Sequence, residues 1–175
     1  MTDPVLPPPD TKDWTFVMAG GCPECGFRPV IEPHTIAARI RATIPRWRTA
    51  LARPDAAVRP QPDVWSPLEY DCHVRDVFDL FAVRLGLMLA TDLARFENWD
   101  QDATAIEERY WEQAPAVVAA ELTGAGEALA AAYDAVPDAA WQHRGVRSNG
   151  AEFTIATFGA YLLHDVEHHL HDVAA

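Results

Sequence analysis

Positive charge is scarce. The 175-residue chain has a single lysine, Lys12, among 14 basic residues set against 26 acidic ones, for a formal net charge of -12. Recognition of a phosphate backbone needs clustered Lys and Arg, so nucleic acid is not an expected partner. The preference for arginine over lysine reads as GC-rich coding rather than as chemistry. Cysteine is also scarce, at three residues. An odd, small number argues against a disulfide framework, and a chain of this length can bury a core without one. No uninterrupted apolar run reaches the roughly 20 residues that a membrane span requires. The opening MTDPVLPPPD lacks the basic stretch and apolar core of a signal peptide. These absences together predict one soluble, cytoplasmic domain with no membrane partner. There is also no internal repeat, no Gly-rich phosphate loop and no G-x-S-x-G elbow.

What is present is histidine, concentrated in one place. Four of the seven histidines fall in residues 161–173, YLLHDVEHHLHDV. In a helix, His164 and His168 stand at i and i+4, one above the other, a spacing at which two imidazoles can share one ion. His171 continues that stripe, and Asp165, His169 and Asp172 form the neighbouring one. Acidic and apolar residues interrupt the histidines with helical period, which sets the segment apart from a purification tag. Two histidines leave a catalytic metal site one ligand short, so a third must come from elsewhere.

Residues 1–13 are Pro-rich and polar and read as a tail. A knuckle follows, in which Cys22 and Cys25 enclose Pro23 and Glu24 and precede Gly26. Three readings stand for it: half of a tetrahedral zinc site, a redox pair, or a turn with two buried thiols. A closed zinc site would have to borrow His34, Cys72, a C-terminal histidine or a second subunit. The spacing of Ile36, Ile40, Ile44, Trp47 and Leu51 predicts an amphipathic helix over residues 34–52, with Pro45 as a kink. The next helix begins at a capping box, Ser66 with Glu69, with Pro67 at its first position and Trp65 as a hydrophobic staple, and runs to about Ala90. His73 lies near its start, with Asp76 on the same side.

For an early His73 to meet the late His164 and His168, the two helices must run antiparallel. A simple up-down-up-down bundle would make them parallel, so one long connection has to reverse the order. Residues 91–114 supply it, with a short helix expected around 103–111; Asn98, Trp99, Asp100 and Tyr110 there are candidates to rim a pocket. Pro115 opens a third helix to about Val136, where Gly124 and Gly126 allow close approach. Residues 136–153 read as a loop holding an exposed His143, with a tight turn at Ser148, Asn149 and Gly150. Thr154 caps the last helix. The fold class is therefore all-α: a four-helix bundle of up-down-down-up topology, with a long crossover between the second and third helices and an N-terminal CxxC extension. Residues 1–32 form the tail and knuckle, and residues 33–175 the bundle.

Three imidazoles, His73, His164 and His168, would fill three positions around an ion and leave one open, the pattern of a catalytic site. Zinc suits this donor set best and nickel is compatible. Glu69 and Asp76 are candidate catalytic carboxylates. Asp165 reads equally well as a solvated helix charge, and His169 is not needed in this register.

The order of motifs in WSPLEYDCHVRDV and the terminal HDVEHHLHD resembles the DinB and mycothiol-dependent maleylpyruvate isomerase-like superfamily of metal-binding four-helix bundles, over roughly residues 34–173. The resemblance implies a three-histidine site at His73, His164 and His168, frequent dimers, and transfer or isomerisation with a low-molecular-weight thiol such as mycothiol or bacillithiol. Trp99 and Tyr110 are the candidates to contact such a cofactor. Many relatives carry glutamine where this chain has His171, and the knuckle lies outside the shared domain. The expected function is a metal-dependent, thiol-dependent transferase or isomerase acting on a small electrophile. The alternative is a non-catalytic metal-binding or stress-response bundle.

Overall fold

The computed structural model describes Val5, Pro7, Pro8 and residues 12–175. The expected Pro-rich tail therefore lies largely outside the described residues. The chain first makes a 3-10 turn, Trp14–Phe16, and a one-turn helix α1 (Val17–Gly20). The long helices α2 (Ile36–Leu51) and α3 (Pro67–Ala90) follow. After them come strand β1 (Ala94–Phe96), helix α4 (Gln101–Glu107) and helix α5 (Pro115–Asp134). Strands β2 (Arg144–Arg147) and β3 (Glu152–Thr154) lead into α6 (Ile155–Asp172). No helix among the described residues is long and apolar enough to cross a membrane.

Local chemistry sets the ends of these helices. Ser66 Oγ accepts the Glu69 N–H at 3.3 Å while the Glu69 carboxylate accepts the Ser66 N–H at 2.8 Å. This satisfies donors that the first helical turn would otherwise leave free. Trp65 packs its ring 5.5 Å from Tyr70, the position a hydrophobic staple requires. Thr154 Oγ1 takes the Thr157 N–H at 3.1 Å at the start of α6. Helix α2 continues through Pro45, which deprives one carbonyl a turn earlier of its donor.

The main core lies between α2, α3, α5 and α6, where Ile36, Ile40, Trp47, Phe78, Leu85, Leu122, Leu129 and Leu162 are shielded from water. Burying each of the larger of these contributes about 1.5–3 kcal/mol relative to exposure. Gly126 is a close-approach position, since a Cβ there would come 3.0 Å from Ile44 Cδ1 and Phe78 Cε2, whereas Gly124 faces open space. A second, smaller core gathers Leu51, Trp65, Leu68, Cys72, Ala105, Tyr110 and Val118 under the crossover. The extension joins the main core through Val17, Cys22 and Phe27, and α1 packs on α6.

One expectation needs correcting. The chain is mostly helical but not all-α, because β1, β2 and β3 form a three-stranded sheet in that order. β1 pairs parallel with β2, and β2 antiparallel with β3. The strands are three or four residues long, too short to show alternation, and β1 finds its partner about fifty residues away in sequence. Gly145 permits the pairing: a Cβ there would meet Phe96 Cε1 at 2.6 Å and Met88 Sδ at 2.8 Å. The predicted tight turn joins β2 to β3, with Gly150 at φ +91°. His143, expected to be exposed, is half-buried, with Nδ1 3.1 Å from the Met88 carbonyl.

Candidate metal centre

The two histidine stripes of α6 face different neighbours. His164 and His168 turn toward the extension and meet Cys22 and Cys25, while Asp165 and His169 turn toward α3 and meet His73. Within each group the potential ligand atoms lie within 4.8 Å of one another. The sequence reading joined His73 to His164 and His168; the structure instead pairs His73 with the adjacent stripe. Successive residues on a helix are about 100° apart, so a one-residue change of register moves the facing side chains from one neighbour to the next.

His73 is fully buried in the second turn of α3. Its Nε2 lies 3.5 Å from Asp165 Oδ1, and the same oxygen lies 3.1 Å from His169 Nε2. His169 Nδ1 is 2.8 Å from Asp172 Oδ2. Trp99 of the crossover stacks on His73, with ring centres 5.4 Å apart and planes at 11°. The Trp65 ring stands 5.6 Å from His73, and the Tyr70 ring 5.0 Å from His169. His73 Nδ1 is buried without a hydrogen-bond partner.

The electrostatics of the two stripes differ in sign. Burial works against charge on His169, but its hydrogen bonds to Asp165 and Asp172 outweigh that and hold it up at about 9. Burial likewise opposes ionisation of Asp165, and hydrogen bonds from His169 and His73 overcome it and hold the carboxyl well below its usual range. The Asp165 carboxylate thus stands between the two imidazoles, within 3.5 Å of a ring nitrogen of each. On the other stripe, burial pushes His164 down to about 4, helped by neighbouring His168, which burial also lowers. Burial thus biases both toward the neutral imidazole, the form that binds a metal.

Beside these groups lies a pocket of about 290 Å³, bounded by Trp14, Trp65, Tyr70, Gln101, His169 and Asp172, with Pro7 and Pro8 at its edge. A smaller cavity of about 70 Å³ touches Trp14, Gln101 and Tyr161 together with both α6 stripes. Trp14 of the extension, which the sequence reading did not single out, packs 4.8 Å from the His168 ring and 5.4 Å from that of His164.

Several candidate residues have other tasks. Glu69 is buried, and besides the capping box it pairs with Arg59 through both carboxylate oxygens. Asp76 is held by Arg75 Nε at 2.8 Å and by the Tyr110 hydroxyl. Tyr110 is fully buried in the smaller core rather than lining the pocket. Cys72 belongs to the same core, and burial pushes its thiol up to about 12, the behaviour of an inert structural cysteine. His34 and His171 are exposed. Asp165 and His169 were the residues underweighted in sequence, although their i,i+4 spacing repeats that of His164 and His168.

Donors from two helices converging beside a pocket could hold a metal ion, as in other helical bundles. The chain belongs to the DinB superfamily, whose sequence model matches residues 38–173. Among solved structures it is similar to YfiT from Bacillus subtilis, described as a probable metal-dependent hydrolase with an unusual four-helix bundle topology. The TM-score is 0.69 at 14% identity, over 84% of this chain and 90% of that one. No curated protein matches the chain in sequence.

Proposed function

We propose that this chain is a metal-dependent enzyme acting on a small electrophilic molecule, with His73, Asp165 and His169 holding a divalent cation. The observation that carries the reading is the convergence of two imidazoles and one carboxylate from two helices, their donor atoms within 4.8 Å of one another, beside a pocket. Such a set leaves coordination positions open and suits zinc, nickel or ferrous iron by ligand type. A bound ion supplies Lewis-acid chemistry there, lowering the pKa of a nucleophile's proton and polarising a substrate oxygen.

The chain's own groups do the positioning. Asp172 accepts the Nδ1 proton of His169, which turns Nε2 toward Asp165 and fixes the tautomer. Trp99 clamps the plane of His73, and Trp14, Trp65 and Tyr70 keep the surroundings dry. Family membership supports the metal, and the description of YfiT supports water as the nucleophile. The resemblance to thiol-dependent members favours mycothiol or bacillithiol in that role, and the assay below separates the two.

We read the bundle as up, down, down, up. Phe81 against Phe158 and His73 against Asp165 support antiparallel α3 and α6; Arg75 with Glu121 and Phe78 near Gly126 support parallel α3 and α5. The reading extends to a cytoplasmic protein without a nucleic-acid partner, in keeping with its charge, and to a homodimer, on the family resemblance.

The test combines elemental analysis of wild type, His73→Ala, His169→Ala and His171→Ala with a turnover screen on small esters, amides and epoxides, with and without a low-molecular-weight thiol. Loss of one metal equivalent and of turnover in the first two variants, but not in His171→Ala, is expected. Unchanged metal content in His73→Ala and His169→Ala would overturn the assignment. Metal loss that collapses the melting temperature, with no turnover on any substrate in the wild type, would favour the non-catalytic alternative.

A further inference from the structure

We propose that Cys22, Cys25, His164 and His168 form a second, structural zinc site that fastens the N-terminal extension to α6. The site is separate from the His73 group and does not rest on the catalytic reading. Four donors from two distant parts of the chain lie within 4.8 Å of one another, with Cys22 Sγ 3.6 Å from His168 Nδ1. Cys22, His164 and His168 are buried and Cys25 is half-buried. His164 Nε2 is buried without a hydrogen-bond partner, so one imidazole nitrogen in this cluster is left without the bond that burial demands.

The backbone of the knuckle is shaped to hold its sulfurs. The Cys22 N–H bonds the Phe27 carbonyl at 3.0 Å and the Gly26 N–H bonds the Cys22 carbonyl at 2.9 Å, closing a tight loop. Gly26 turns at φ +77° and Gly21 at φ +81°, where a Cβ would strike the Phe27 carbonyl oxygen at 2.5 Å. The Phe27 N–H also bonds Cys25 Sγ, which fixes that sulfur within the loop. Beyond the donors, His168 Nε2 lies 3.7 Å from Glu24 and 3.8 Å from Asp172, carboxylates that orient its Nδ1 toward the sulfurs.

Two thiolates and two imidazoles are a closed tetrahedral set that zinc fills completely, which marks a structural rather than a catalytic ion. The charges balance as well. Two thiols release two protons on binding, and two thiolates with two neutral imidazoles cancel the charge of Zn²⁺, so the filled site is neutral and suited to burial. Because Trp14 packs on both imidazoles and borders the adjacent pocket, the zinc would also hold one wall of that pocket.

The experiment is zinc-edge X-ray absorption on the full-length His73→Ala/His169→Ala variant, reconstituted with Zn²⁺ alone so that one ion remains to be read. A shell of sulfur at about 2.3 Å and nitrogen at about 2.0–2.1 Å is expected, with the zinc lost when Cys22→Ser is added. In parallel, thiol alkylation of wild type is followed with and without a chelator. Protection of Cys22 and Cys25 that the chelator removes supports the site even if the variants fail to fold. A shell of nitrogen and oxygen only, a Cys22–Cys25 disulfide in the purified protein, or alkylation indifferent to the chelator would each overturn it.

Discussion

Replacing Gly159 by alanine tests how tightly α6, the helix that carries both ligand stripes, is seated. A Cβ at this position would lie 2.5 Å from Ile36 Cδ1, 3.2 Å from Ile36 Cγ2 and 3.1 Å from Tyr133 Cε1. Two effects compete. Alanine is better than glycine in a helix by about 1 kcal/mol, whereas forcing a methyl group into a packed core costs about 1–3 kcal/mol. Ile36 and Tyr133 are both shielded from solvent and embedded in the main core, so neither can swing outward to make room. The clash should prevail, for a net destabilisation of about 1–2 kcal/mol. The assay is urea unfolding of Gly159→Ala, Ile36→Val and the double variant. Ile36→Val alone should cost about 0.5–1.5 kcal/mol, yet in the double variant it removes the atom that the new methyl strikes. The two changes should therefore be less than additive, by about 0.5 kcal/mol or more. Gly124→Ala is the control, because nothing lies within 4 Å of its Cβ position, and it should stabilise. A stabilised Gly159→Ala, or strict additivity in the cycle, would refute the reasoning.

The remaining predictions concern charge and hydrogen bonding. Metal uptake at the His73 group, measured in a Cys22→Ser/Cys25→Ser background by competition with a chromophoric chelator, should strengthen about tenfold per pH unit across neutral pH. The proton that His169 holds to about 9 must leave when the ion binds, and the slope should flatten above that value. In the metal-free protein the sign is the opposite for stability. The raised His169 contributes fully below its unfolded value of 6.5, and that contribution is lost as pH rises through about 9. Glu69→Gln breaks a buried pair with Arg59 and weakens the capping box; thermal unfolding should show a loss of about 3 kcal/mol with metal content unchanged. Tyr110→Phe removes the hydroxyl that Asp76 accepts and should cost about 1.5–3 kcal/mol, again without metal loss.

Features carried by short sequence windows were legible in advance. The capping box at Ser66, the proline opening α5, the turn before β3 and the existence of all four long helices each follow from chemistry within a few residues. The meeting of an early α3 histidine with the late α6 cluster was legible too, because antiparallel geometry demands it. Which α6 stripe His73 meets was not, since that depends on the rotation of α6 about its axis. That rotation is set by Gly159 against Ile36 and by Phe158 against Phe81, contacts that no local pattern encodes. The sheet escaped for a related reason, its strands being held by pairing across distant segments. Glu69 and Asp76 looked catalytic because spacing reveals which face a carboxylate shares, not whether an arginine or a tyrosine already occupies it.

The parallel pairing of β1 with β2 bears on how a substrate could arrive. Besides the strand pairing, the crossover is tied by the Asn98 N–H to Ser148 Oγ at 2.8 Å and by Arg84 to the Glu97 carbonyl at 2.6 Å. It then lays Trp99 directly over His73. A roof tied this close to His73 covers one side of the proposed site, while the neighbouring pocket is lined by Pro7, Pro8, Tyr70 and Asp172. If the proposed function holds, that flank is the side from which a small substrate would approach, and the architecture itself would favour small molecules over bulky polymers.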